Sequence, residues 1–384
     1  MPTEFLPFRG DYTSVALVEA SRSSGSGYKF LITVVGLTSW QAYIARIQEI
    51  ARRCDEERKA GQTKGILHGI SFLVKDVFVT TDRMKTTAGC KALQGAKPKL
   101  ETTVIRKLRE QGAILLGETV LTQWANYRSP QTAPNGWSSV GGQCIAPYAE
   151  YQDPSGSSSG SAVSAWIPRI NSPFFDPEDG SPILLDDDDT RRAATQDVIE
   201  VMRSLGAIIV ENVEFAQWET DAQRRDDEEW HHAFRVQLRN NMAKFLDSFS
   251  SKPNDFQPVA DVINYTMSAS EERGEEYGIQ EWLVAEKIGQ SYDHKPQEYI
   301  TSLKRRLALG AQAKELFDRY QYDIYLCSAS RWQPAMASAY PTKSKPVGQF
   351  LPETPINSRP KTGMIQKAPG IPWVTPPARV NLDN

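Results

Sequence analysis

One lysine and one serine-rich loop are the residues of this chain best suited to chemistry. Lys75 ends an apolar run that begins at Ile70, and residues 153–162 contain five serines and two glycines. A lysine at the end of a buried strand loses hydration, which lowers the pKa of its ammonium until it can accept a proton. The loop supplies hydroxyls and backbone N–H groups. A neutral lysine beside such serines can activate a nucleophile for acyl transfer without a histidine.

Several short motifs accompany this pair between Leu37 and Trp166. They are Gly65–Asp76, Thr86–Gly89, Gly112–Gly117, Trp124–Asn126, Gly136–Ser138 and Gly141–Gly142. In this order the motifs resemble the amidase signature family, and the surroundings of Asn126, Trp137 and Asp153 resemble its fungal-type branch. The resemblance implies an enzyme that hydrolyses an amide C–N bond of a small molecule and uses no cofactor.

The resemblance also implies a role for each member of the pair. In this family a lysine activates a serine held in a cis peptide bond, and that serine exchanges a proton with a second, nucleophilic serine. Lys75 matches the lysine and Ser157 matches the cis serine. We therefore expect a hydrogen bond between Lys75 and Ser157 and a cis bond between Gly156 and Ser157.

The stretch that carries the nucleophilic serine in the family has no counterpart here. Family members have Gly-Thr-(Asp/Glu)-x-x-Gly-Ser-Ile after the serine loop, whereas Trp166 is followed by residues 167–171, which resemble a later family segment. We interpret this as an internal deletion, natural or from an error of splicing or gene prediction. The deletion predicts exposed apolar surface on the strands at 70–79 and 113–116, and with it low solubility or loose packing.

Ser181 is the candidate for a replacement nucleophile. It lies 24 residues after Ser157 and follows a glycine, as in the family motif. Pro182, however, removes an N–H where an oxyanion hole is needed, and residues 186–189 are all aspartate. Residues 179–182, Asp-Gly-Ser-Pro, are also typical of a surface turn. Two hypotheses follow: an amidase of impaired activity, or a catalytically silent relative that is a pseudoenzyme or a gene-model artefact.

A serine esterase is a third hypothesis. Gly156–Gly160 fits the G-x-S-x-G pattern with Ser158 as the nucleophile, but that pattern should follow an apolar strand, and residues 150–154 are polar. Three histidines are candidates for its base: His231, His232 and His294. The first two lie in a charged helical pattern that is typical of a protein surface.

Composition excludes several classes of partner. The formal net charge of −3 and the pI of about 6.0 give no general attraction to nucleic acid. No apolar run reaches the ~18 residues of a membrane-spanning helix, and the first residues lack the basic start of a signal peptide. The four cysteines show no metal-ligand spacing, and His68 is expected in a turn. We expect a cytoplasmic protein that binds a small-molecule amide and no nucleic acid, membrane or metal.

Alternating helices and strands must hold the site. The predicted elements are a helix from Thr38 or Ser39 to Gly61, strands at 70–79 and 113–116, and helices at 102–111 and 161–166. Trp40, Ile44 and Ile47 are expected to share the buried face of the first helix. The alternation predicts an α/β fold, and the resemblance implies a mixed β-sheet core flanked by helices, incomplete here.

We divide the chain into four segments. They are an irregular segment at 1–36, the signature region at 37–166, a helical and α/β remainder at 167–330, and a disordered tail rich in proline and lysine at 331–384. The remainder is predicted to hold helices at 186–206, 230–249 and 300–320 and short strands at 207–210 and 323–327. Neither the particular substrate nor the oligomeric state follows from these patterns.

Overall fold

A computed structural model of the chain describes most residues between 13 and 321 and four short strands beyond them. The described residues are 13–23, 40–82, 84, 86–129, 132–146, 151–166, 188–210, 228–252, 254, 256, 259–291, 296–321, 345–349, 357–358, 365–367 and 372–375. Within these ranges, none of the helices combines the length and the apolar character needed to cross a bilayer.

Helices dominate the described part of the chain, and its strands are short. The helices are α1 (Ser14–Ser23), α2 (Trp40–Lys59), α3 (Thr103–Glu110), α4 (Ser159–Trp166), α5 (Asp188–Ser204), α6 (Glu228–Asp247), α7 (Val259–Ser268), α8 (Gly274–Tyr277), α9 (Gln280–Ser291) and α10 (Pro296–Tyr320). The strands are β1 (Ser71–Lys75), β2 (Lys97–Pro98), β3 (Ile114–Thr119), β4 (Trp137–Ser138), β5 (Gly142–Gln143), β6 (Phe249–Ser251), β7 (Lys345–Gln349), β8 (Asn357–Ser358), β9 (Ile365–Lys367) and β10 (Pro372–Thr375). The predicted mixture of helices and sheet is thus confirmed.

The parallel pair β1–β3 supports the candidate site. Ser71 pairs with Ile114 and Lys75 pairs with Thr119, and α3 lies in the connection between the strands. β1 is shorter than predicted because the backbone N–H groups of Val77 and Phe78 both donate to the Lys75 carbonyl, at 2.6 and 3.0 Å. The chain therefore turns directly after Lys75, and β3 extends three residues beyond its predicted end.

The apolar surface of this strand pair is covered by helices. Val74, Ile114 and Leu115 are only 8%, 2% and 2% exposed. α2 packs against β3, and α4 packs against both strands. The prediction that a missing segment leaves these strands exposed is therefore wrong at these three positions.

The long helix α2 buries one face, and the spacing of its residues explains why. Tyr43, Ile47, Ala51 and Cys54 are three or four residues apart and 0–3% exposed. Of the face predicted from sequence, Ile47 is buried and Ile44 is half-buried; the side chain of Trp40 lies outside the described ones. The buried face is therefore rotated toward Tyr43.

A second core joins the signature region to the helices that follow it. Trp282 of α9 and Leu246 of α6 are fully buried in one cluster with Leu93 and Trp124. The rings of Trp124 and Trp282 meet edge to face with centroids 5.5 Å apart. The predicted signature region and the predicted remainder thus share a hydrophobic core.

A buried ionic network crosses the same boundary. The carboxylate of Glu272 lies 3.8 Å from the Arg128 guanidinium, and both side chains are at most 1% exposed. Glu272 also accepts hydrogen bonds from the Lys91 backbone N–H at 2.9 Å and the Ser139 hydroxyl at 2.7 Å. Arg128 donates to the Gly278 carbonyl at 2.9 Å. Each buried charge is therefore compensated by groups from the other segment.

The second half follows its predicted helices more closely than its predicted strands. Helices α5, α6 and α10 lie near the predicted ranges. The strand predicted at 207–210 is wrong: these residues form no strand, and Ile208 is 94% exposed. An apolar run becomes a strand only where a neighbouring strand pairs with it, and the described residues offer 207–210 none.

Two predictions concern the end of the chain. In the tail predicted to be disordered, β7 pairs with β10 and β8 with β9, both antiparallel; local pairing gives these polar segments hydrogen-bond partners. The strand predicted at 323–327 lies outside the described residues.

Candidate active site

Lys75 and Ser157 meet at the end of β1. The ammonium nitrogen Nζ of Lys75 donates a hydrogen bond of 2.6 Å to the Ser157 hydroxyl. The peptide bond between Gly156 and Ser157 is cis. The contact and the cis bond expected from the sequence are therefore both present, although the two residues are 82 positions apart in the chain.

Partial burial changes the acid–base chemistry of Lys75. Its side chain projects from the last residue of β1, and desolvation lowers its pKa from 10.5 to about 8. A large fraction of such a lysine is neutral in mildly alkaline solution. Neutral Lys75 can accept the Ser157 proton through the existing hydrogen bond, which makes the pair a base and a hydroxyl in contact.

The serine loop has the residue types that its close packing requires. A side chain on Gly156 would place its Cβ 2.7 Å from the Thr122 hydroxyl, and one on Gly160 would lie 2.7 Å from the Val120 carbonyl oxygen. The Gly160 N–H donates to that same carbonyl at 2.9 Å. Glycine therefore lets the loop lie directly against the segment that follows β3.

Polar contacts fix the loop on both sides of the cis bond. The Ser157 carbonyl accepts from the Thr122 N–H at 3.1 Å. Before the bond, the Asp153 carboxylate accepts from the Ser155 N–H at 2.8 Å and from the Asn135 amide at 3.0 Å. These contacts hold the Ser157 hydroxyl toward Lys75.

The other serines of the loop face different partners. Ser161, in the first turn of α4, shares a 2.7 Å hydrogen bond with the Thr119 hydroxyl. Ser159 donates to the Ser155 carbonyl. Ser158 is exposed, and residues 151–157 contain no strand that could present it as a nucleophile elbow. Local structure therefore disfavours the esterase hypothesis.

Of the remaining candidates, the structure describes only His232 and His68 in full. Ser181 and His294 lie outside the described residues, as does the side chain of His231. His232 lies on α6. His68 is in a turn as predicted but is 5% exposed, with Nε2 3.0 Å from the Cys54 carbonyl.

One group of potential metal ligands occurs in the described part of the chain. Cys54, Glu57 and His68 bring their ligand atoms within 4.8 Å of one another. His68 is already hydrogen-bonded, through Nδ1 to the Lys64 N–H at 3.4 Å and through Nε2 to the Cys54 carbonyl. The Lys64 ammonium also lies 3.5 Å from Glu57. Both ring nitrogens of His68 thus already have partners within the protein.

Sequence reasoning did not single out the carboxyl groups beside the site. Asp76 follows Lys75, and its carboxylate accepts from the Thr87 N–H and hydroxyl, both at 2.6 Å, and from the Gly89 N–H at 3.0 Å. Glu118 lies on β3 opposite Val74. Parallel strands end at the same edge of a sheet, so the sequences Lys75-Asp76 and Glu118-Thr119 carried the signal for this cluster.

Comparisons with known proteins agree with this geometry. The family model described as Amidase matches residues 38–165. A protein of Arthroderma benhamiae that bears the name of an amidase is 40% identical over 178 residues, which are 41% of this chain and 29% of that protein. A second such protein, from Schizosaccharomyces pombe, is 44% identical over 134 residues, 35% of this chain and 23% of its own length. The chain thus spans about a quarter of these relatives.

A solved structure extends the likeness in fold. The peptide amidase from Stenotrophomonas maltophilia superimposes with a TM-score of 0.68 at 19% identity, over 96% of this chain and 90% of that one. At this level of identity, the superposition establishes a shared fold and nothing about catalytic activity.

Proposed function

Because this chain belongs to the amidase signature family, with its signature at residues 38–165, we propose that it hydrolyses an amide C–N bond of a small molecule at Lys75 and Ser157. The observation that supports this most is the 2.6 Å hydrogen bond from the Lys75 amine to the Ser157 hydroxyl. We propose no cofactor, nucleic acid or membrane partner.

The proposed reaction moves one proton along a short relay. Neutral Lys75 takes the Ser157 proton while Ser157 takes the proton of a second serine, whose oxygen attacks the amide carbonyl. Backbone N–H groups stabilise the oxyanion, and the relay returns the proton to the leaving amine. Water then attacks the acyl-enzyme by the same route and releases the acid. Ser181 is the candidate for the second serine.

A catalytically silent protein is the second candidate. The observation in its favour is that the chain lacks the Gly-Ser-Ile stretch that carries the nucleophile in the family. Removing an acyl-transfer nucleophile costs several orders of magnitude in rate. We therefore propose that this chain hydrolyses amides poorly or not at all.

Covalent labelling distinguishes the candidates. The full-length protein would be treated with a fluorophosphonate and digested, and the labelled serine located by mass spectrometry. Labelling of Ser181 that disappears in Lys75→Met and persists in Ser158→Ala supports the proposed hydrolase. Labelling of Ser158 supports the esterase. Absence of label, together with no turnover of a panel of small amides, identifies the protein as silent.

A further inference from the structure

Two buried acidic side chains lie beside Lys75, and among the described residues neither of them forms an ion pair with a lysine, arginine or histidine. Asp76 and Glu118 are 1% and 0% exposed. Their hydrogen-bond donors are the hydroxyls of Thr80, Thr86 and Thr87 and two backbone N–H groups. A buried carboxylate pair that is doubly ionised would be strongly disfavoured by repulsion and desolvation.

The donors are distributed unequally over the four carboxyl oxygens. Asp76 accepts from three donors, which use both of its oxygens. On Glu118, the Thr80 and Thr86 hydroxyls both donate to Oε1, at 2.8 and 3.0 Å. The buried Oε2 of Glu118 receives no donor from the described residues. This is the pattern of an ionised Asp76 beside a protonated Glu118 whose Oε2–H is itself the donor.

The environment favours the same assignment. Burial, followed by the charge of Asp76, raises the pKa of Glu118 well above its ordinary range. Burial also raises the pKa of Asp76, and hydrogen bonding to Glu118 opposes that shift. The titratable neighbours on adjoining elements are Lys75 of β1, which donates to Ser157, and Tyr43 of α2, whose hydroxyl pKa is itself raised by burial.

We propose that Glu118 is protonated and donates a hydrogen bond to the Asp76 carboxylate. We further propose that this pair positions Lys75 for the relay to Ser157. The inference rests on the proposed function for the role of Lys75. Asp76 fixes the turn at residues 87–89 through its carboxylate and through its carbonyl, which accepts from the Ala88 N–H at 2.9 Å. Its own N–H donates to the Thr119 carbonyl at 3.2 Å. By stabilising Asp76, the proton on Glu118 helps to keep the ends of β1 and β3 together at the position of Lys75.

The shared proton has a measurable linkage to stability. The pKa of Glu118 is higher in the folded state than in the unfolded state, where glutamate titrates near 4.3. Its contribution to the free energy of unfolding is therefore fully present below that pH and is lost as the pH rises. Above that value the native state holds one proton more than the unfolded state. The unfolding equilibrium constant then grows by up to tenfold per pH unit.

Glu118→Gln is the discriminating variant, because its amide N–H₂ can donate to Asp76 without titrating. Denaturant unfolding of the full chain would be measured from mildly acidic to mildly alkaline pH, with Glu110→Gln on the surface as the matched control. We expect the pH-dependent loss of stability to be smaller in Glu118→Gln than in the wild type and unchanged in Glu110→Gln. If the free energy of unfolding changed with pH by the same amount in all three proteins, the proposal that Glu118 and Asp76 share a proton would be wrong.

Positioning is tested through the amine of Lys75. Competitive acetylation of lysines at several pH values, followed by mass spectrometry, reports the pH at which Lys75 becomes neutral. We expect Glu118→Gln to keep the wild-type profile and Glu118→Leu, which has no donor for Asp76, to shift it. An unchanged profile in a folded Glu118→Leu would overturn the positioning role. Neither measurement requires turnover, so failure of this inference is distinct from failure of the proposed hydrolase.

Discussion

Lys75 differs from a surface lysine by its position rather than by a charged partner. It is the half-buried last residue of β1, and desolvation alone accounts for the lowered pKa of its amine. Its chemistry is thus set by where the chain turns.

The pH dependence of the reaction is the first prediction at the scale of the residue. Lys75 must be neutral to accept a proton, and its pKa is about 8. The rate of amide hydrolysis, or of serine labelling, should therefore rise up to tenfold per pH unit below this value and level off above it. Initial rates across this range test the prediction. A rate that falls with rising pH would show that the ammonium form is the active one.

Removing either member of the pair should abolish what activity the chain has. Ser157→Ala and Lys75→Met interrupt the proton relay, and loss of a catalytic group of this kind lowers the rate by several orders of magnitude. Ser158→Ala is the matched control, since Ser158 is exposed and adjacent. Rates of Ser157→Ala and Ser158→Ala that match within a few-fold would exclude the relay.

At the scale of the element, the contact between α4 and the segment after β3 determines where Ser157 lies. Gly160 begins this contact, and a Cβ there would lie 2.7 Å from the carbonyl oxygen and 2.8 Å from the nitrogen of Val120. Both atoms belong to the backbone and cannot rotate away. The helix must therefore move if residue 160 has a side chain.

Gly160→Ala should consequently destabilise the fold and displace Ser157 together. Forcing a methyl group into a packed site costs about 1–3 kcal/mol. Unfolding of Gly160→Ala would be compared with that of Ser158→Ala, which leaves the contact intact. Wild-type stability and wild-type activity in Gly160→Ala would show that α4 does not rest on Val120 in solution.

Sequence patterns located β1, β3 and the two site residues but not the groups around them. The apolar run before Lys75 and the glycine spacing of the loop predict local structure, because they depend on neighbours in the chain. The strand predicted at 207–210 failed since strand formation depends on a partner strand. The proximity of Asp76 and Glu118 could not be predicted, because it depends on the register of β1 with β3. Ser181 remains a prediction from the sequence.

At the scale of the whole molecule, the Arg128–Glu272 network joins the signature region to the helices that follow it. Arg128→Met removes one partner of a fully buried pair and leaves the Glu272 carboxylate without its guanidinium partner. The expected loss of stability is about 3–5 kcal/mol. Arg106→Met is the control, because the Arg106–Glu110 pair is exposed and such pairs contribute about 0–1 kcal/mol. Equal unfolding midpoints for the two variants would contradict this role.

The burial of Val74, Ile114 and Leu115 also bears on the folded state of the whole chain. Low solubility was expected from exposed strands, and the helices that cover these residues weaken that expectation. Thermal unfolding measures the outcome directly. A monomer with a sharp cooperative transition above about 55 °C, well inside the usual mesophilic range, would show that the present segments close their own core. A broad transition or aggregation would support the loosely packed state.

The most direct test of the account is the pKa of Lys75 itself. Lysine labelled at Cε would be followed by NMR during a pH titration of the full chain, with the Lys75 signal identified by its absence in Lys75→Met. We expect a midpoint near 8, because the Lys75 amine is desolvated at the end of β1 and hydrogen-bonded to Ser157. A midpoint near 10.5, the ordinary value for lysine, would contradict the claim that Lys75 is the base of this site.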